Sequence, residues 1–143
     1  MQGTRSNKAK KDKGSILADV KNLLYVLHPA MQRMPKIERI EGAPHEMKQS
    51  CYDLIRHFTV AMECPEVRLL YIHKMFADFG DILASFELGI QFGLFIDSDK
   101  LRIAMQLERI EEGIRKWRNA SRSLKSQARQ EVADEEEPAV SND

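Results

Sequence analysis

At 143 residues, 43% apolar and 31% charged, the chain is one domain's worth, long enough for a core without staples. Its longest uncharged apolar piece, residues 88–96, is too short to span a bilayer, and the basic N-terminus lacks the apolar region of a signal peptide. The net charge of zero hides segregation: +4 over residues 1–14, −4 over 15–112, +6 over 113–130 and −6 over 131–143, a pattern that speaks about partners rather than fold.

Residues 1–14, rich in Lys, Gly, Ser and Asn without a large apolar side chain, read as a flexible basic arm. Ser15 then serves as N-cap and Asp19 lies near the positive end of a first helix. Along that helix Ile16, Val20, Leu23, Leu27, Ala30 and Met34 recur at steps of four and three, with Pro29 as a kink and Pro35 as the stop. Residues 36–42 are a connection, and Pro44 opens a second helix whose seam is Met47, Cys51, Leu54, Phe58 and Ala61. Cys64-Pro65-Glu66 stops it and starts the third, whose heptad reads Leu69, Ile72, Phe76, Phe79, Leu83, Phe86 and Ile90 until Gly89 and Gly93 loosen it. Asp97-Ser98-Asp99 caps a fourth helix with Ile103, Leu107, Ile110, Ile114, Trp117, Ser121 and Leu124 on one face.

No stretch alternates with period two, so the expectation is all-α: an antiparallel up-down-up-down four-helix bundle over residues 15–127. The segment 128–143, with its acidic run, reads as a disordered tail. Cys51 and Cys64, thirteen residues apart, are too distant along one helix for a disulfide and have no CxxC partner, so buried reduced thiols in a cytoplasmic protein are expected.

One residue on from the fourth seam stand Arg115, Arg118, Arg122 and Lys125, and Arg129 continues the row. One residue is about 100° of helix, so these form a cationic column beside the buried face. Lys116 is the sixth basic residue of an acid-free stretch. Glu111 and Glu112, four residues before Arg115 and Lys116, read as helical ion-pair partners. In the up-down order this column, Arg68 and the arm residues Lys8, Lys10, Lys11 and Lys13 gather at one pole and are the candidate nucleic-acid contacts. Glu38, Glu41, Glu46, Asp97 and Asp99, mixed with Lys36, Arg39 and Lys100, fall at the other. Leu88, Phe92, Leu94 and Phe95 exceed what one seam needs and are the candidate oligomer interface. His28, His45, His57 and His73 are scattered, with His57 and His73 read as partly buried and hydrogen-bonded. No catalytic set, metal site or cofactor motif is present, so the chain reads as a non-enzyme with no small-molecule substrate.

Several punctuating residues carry a family likeness. Leu27-His28-Pro29, Pro35-Lys36 and Arg39, Asp53-Leu54-Ile55 and the run from Glu108 through Gly113 and Ile114 to Trp117 follow in the order seen in the accessory variability determinant proteins of diversity-generating retroelements. Over about residues 20–120 the chain resembles that four-helix-bundle family. The resemblance implies a ring-shaped homopentamer that binds the element's reverse transcriptase and template RNA during mutagenic copying. Basic residues of the family's third helix do not carry over, since Asp78, Asp81 and Glu87 stand there. A sister family encoded within ribosomal RNA genes, and a helical protein–protein adaptor, are the alternatives.

Overall fold

A computed structural model describes the backbone of residues 4–140 and the side chains of residues 16–135. Its helices are α1 (Thr4–Gln32), α2 (Lys36–Glu41), α3 (Ala43–Glu63), α4 (Arg68–Gln91) and α5 (Asp97–Val140), with a 3-10 turn at Pro65–Val67. No strand occurs among the described residues, and no described helix is long and apolar enough to cross a membrane. The four long helices α1, α3, α4 and α5 are those the apolar spacing predicts, and they share one core.

The seams of α1, α3 and α5 are buried as expected. Ile16, Val20, Leu23, Leu27, Ala30 and Met34 lie inside, as do Met47, Cys51, Leu54, Phe58 and Ala61, and Ile103, Leu107, Ile110, Ile114 and Trp117. Gly113 sits at the α1–α5 crossing, where an added Cβ would stand 2.9 Å from Ile16 Cγ1. The backbones approach there because one of them carries no side chain. Pro29 lies within α1, which continues past it to Gln32. Pro35 then disfavours helical backbone at Met34 and stops the helix.

Four expectations need correction. First, the connection at 36–42 contains helix α2, with Pro35 O accepting from Glu38 N (3.0 Å). Second, α1 starts at Thr4 and α5 runs to Val140, so Ser15 is not a helix start and residue 127 is not a helix end. Asp19 is therefore mid-helix, facing Arg109 of α5; burial raises its carboxyl while the Arg109 charge opposes the rise. Third, the α5 seam runs out at Trp117: Ser121 is half-buried and Leu124 exposed.

The fourth correction concerns α4, which buries Ile72, Met75, Asp78, Phe79, Ile82, Phe86 and Gly89. Leu83 and Ile90 are exposed, and Leu69 and Phe76 only half-buried. The seam is turned by about one residue from the expected heptad. Gly89 does not loosen the helix; its bare Cα is the seat of Phe95, whose ring occupies the place a Cβ would take. Phe95 also meets Phe86 edge-on at 5.5 Å. Gly93 ends the helix with φ +68. Its N–H reaches Ile90 O (3.0 Å) while Leu94 N–H reaches Gly89 O (3.0 Å), the paired bonds of a Schellman cap.

Both cysteines are free. Cys51 is fully enclosed, and burial pushes its thiol up to about 12. Cys64 is only half-buried, against expectation. A thiol reagent at about pH 8 is expected to label Cys64 in the native protein and Cys51 only on unfolding, since the thiolate is the nucleophile. The folded thiol titrates above the unfolded one, so its contribution to stability is intact below about 9 and falls as pH rises toward about 12. Equal labelling rates for the two cysteines in the native state would contradict this burial.

Candidate nucleic-acid interface

The cationic column divides into residues tied to the fold and residues left in solvent. Arg115 pairs with Glu111, and Lys116 Nζ lies 3.1 Å from Glu112 Oε1, as the spacing predicted. Arg118 departs from the expected free column. Its guanidinium stacks over Phe76, 4.8 Å from the ring centroid, and its Nε is buried without a hydrogen-bond partner among the described residues. Arg118 therefore docks α5 onto α4.

Arg68, at the start of α4, does similar work. Its Nε donates to Ala61 O (2.7 Å) and Nη2 to Met62 O (3.2 Å), satisfying carbonyls at the end of α3 that no further helical turn can meet. The same guanidinium lies 5.7 Å from the centroid of Trp117. Phe58 packs on Trp117 from another side at 5.6 Å. Arg68 and Arg118 thus hold the aromatic end of the core closed.

Arg122, Lys125 and Arg129 are exposed and make no ion pair among the described residues. They stand on a part of α5 whose flank has left the core: Leu124 is 64% and Val132 53% exposed. The side chains of Lys8, Lys10, Lys11 and Lys13 lie outside the described residues. Three exposed cations on one helical row can neutralise successive phosphates, and the row lacks the interleaved aromatics of a base-stacking platform.

The apolar candidates also separate. Leu88 is 45% and Phe92 65% exposed, Leu94 is half-buried, and Phe95 is a core residue. Phe95 is withdrawn from the interface set because the glycine beneath it draws the ring inward. Ile96, Leu101 and Met105 are further exposed apolar side chains.

Two features were read only in part from the sequence: His57 was expected to be partly buried and hydrogen-bonded, as it is, but without its partner. His57 Nδ1 donates to Asp78 Oδ2 at 2.6 Å, a contact between α3 and α4 over which the Tyr71 ring sits, 5.7 Å from the imidazole. Burial raises the Asp78 carboxyl, partly opposed by the hydrogen bond and charge of His57. The contact ties α3 to α4. His73, expected to be partly buried, is exposed. The second feature lies where Glu38, Glu41, Glu46, Asp97 and Asp99 were expected to mix with Lys36, Arg39 and Lys100. There Asp99 is taken by Arg33 and Asp97 by Lys100, while Lys36, Arg39 and Lys48 line an open groove with His28 and Gln32. No group of three potential metal ligands occurs among the described residues.

No family model, curated protein or solved structure matches this chain.

Proposed function

We propose that this chain is a non-catalytic accessory protein of a diversity-generating retroelement. It works in the cytoplasm as a ring-shaped homopentamer of antiparallel up-down-up-down bundles. The ring holds a reverse transcriptase on its template RNA during mutagenic copying. The observation that carries the reading is the exposed row Arg122, Lys125 and Arg129 on a stretch of α5 that no core side chain needs. A helix maintained beyond its packing partners, bearing cations toward solvent, is suited to a polyanion.

Contacts at both ends of the helices support the up-down order: Ile16 beside Gly113, Arg33 on Asp99, and Phe86 on Phe95. The residues behind the family likeness have definite seats as well. Gly113 is a crossing point, Trp117 closes the core, and Arg39 lines a groove. Exposed Leu88 and Phe92, four residues apart, give copies of the chain an apolar face to share.

The test is a charge reversal of Arg122, Lys125 and Arg129 to Glu, with RNA affinity measured across a salt titration. The variant is expected to bind roughly tenfold more weakly at low salt, and its log–log salt slope to flatten by about 2, the value for three phosphate contacts on a single strand. Equal affinity and slope in the two proteins, alone and with polymerase, overturn the RNA reading and leave the adaptor. In sedimentation equilibrium the wild type should weigh several times 16.5 kDa, and Leu88→Asp with Phe92→Asp should give lighter, still helical species. A wild-type monomer at micromolar concentration refutes the ring.

A further inference from the structure

The groove formed by the end of α1, α2 and the start of α3 holds more hydrogen-bond donors than acceptors. It is about 250 Å³, and Lys36, Arg39 and Lys48 line it with His28 and Gln32 and without a carboxylate. Lys48 Nζ is 3.5 Å from His28 Nδ1, and Gln32 Nε2 is 3.5 Å from His28 Nε2. Both neighbours are donors, yet a neutral imidazole offers one acceptor nitrogen. Turning the Gln32 amide over does not help, because its Oε1 accepts from Arg39 Nη1 at 3.4 Å. The excess would simply move to Arg39. Arg39 Nε is itself buried and without a partner among the described residues.

None of the acids at this pole is among the residues that line the groove. The Glu38 carboxylate folds over Gly42, into the space a Cβ at that position would claim. Asp99 and Asp97 are held by Arg33 and Lys100. What the groove lacks in acceptors, one phosphate group supplies: several oxygens and negative charge, matched to a guanidinium fork and two ammonium groups. A liquid-water share is about 30 Å³, so there is room for such a group with part of its hydration.

We infer that this groove is a phosphate-binding site, at the opposite pole from Arg122–Arg129 and independent of the RNA reading made for that row. The phosphate belongs either to a small phosphorylated molecule or to a nucleic-acid backbone, and the recognising chemistry is the same.

The full chain is titrated with inorganic phosphate at constant ionic strength, chloride making the balance, while backbone amides and the His28 ring are followed by NMR. Saturable movement confined to His28, Gln32 and the residues of α2 is expected. The dissociation constant should rise about tenfold in Arg39→Gln, the size of one charged hydrogen bond, and also rise in Lys48→Met, which spares α2. Competition by a nucleoside monophosphate, and not by single-stranded RNA lacking a terminal phosphate, assigns the small ligand; displacement by that RNA assigns the backbone. Movement that never saturates, that is unchanged in both variants, or that neither competitor reverses overturns the site.

Discussion

Trp117→Ala is expected to lower the unfolding free energy by about 3–5 kcal/mol, the range for removing a large aromatic from a core. Trp117 is 6% exposed and closes the end of the core against Phe58 and beneath Arg68. Truncation leaves a cavity lined by the Phe58 ring and strips the Arg68 guanidinium of its aromatic face. Arg68 retains its bonds to Ala61 and Met62 carbonyls, so α3 keeps its end and the loss is one of packing. Urea denaturation followed by circular dichroism measures it. A loss below about 1 kcal/mol would mean that the core does not end on this indole.

The second large effect is expected at a residue with no side chain. Gly89→Ala improves helix propensity by about 1 kcal/mol, yet its Cβ would intrude on Phe95 Cε2, the side of a rigid ring. Phe95 cannot retreat easily, because Phe86 meets it edge-on and the Gly93 turn fixes its backbone. Overpacking of this kind costs about 1–3 kcal/mol, so the net change should be destabilising. Gly80→Ala is the matched control: same helix, nothing within 4 Å of the added carbon, and an expected gain of up to about 1 kcal/mol. Smaller Phe95→Leu should relieve the Gly89→Ala penalty in a double-mutant cycle. If Gly89→Ala stabilises the protein as Gly80→Ala does, Phe95 is not seated there.

These two residues also show what the sequence made legible. Trp117 stands at the end of a row spaced by fours and threes on a helix otherwise polar, so period alone identifies it as core. α4 is apolar on more than one side, and two rows, one through Leu83 and Ile90 and one through Met75 and Ile82, fit the same heptad. The choice between them is made by residues far away in sequence. His57 draws Asp78 inward from α3, and Phe95 returns from beyond the helix to occupy Gly89. Neither partner is visible to a periodic pattern confined to α4. The cationic row shows the same limit: spacing places Arg118 with Arg122 and Lys125, but its guanidinium stacks on the ring of Phe76 and the residue is half-buried. Lys48, half-buried on α3, joins Lys36 and Arg39 only once α2 has folded beside it.

The length of α5 has a consequence for how the molecule moves through solution. At 44 residues it is twenty longer than α4, about 30 Å of extra helix on a body of 16.5 kDa. A rod of that length raises the frictional drag of the particle far more than its mass. One copy will therefore elute from a sizing column ahead of compact standards of equal weight. Calibrated elution volumes will overstate the number of subunits, whereas equilibrium sedimentation, which is blind to shape, will count them.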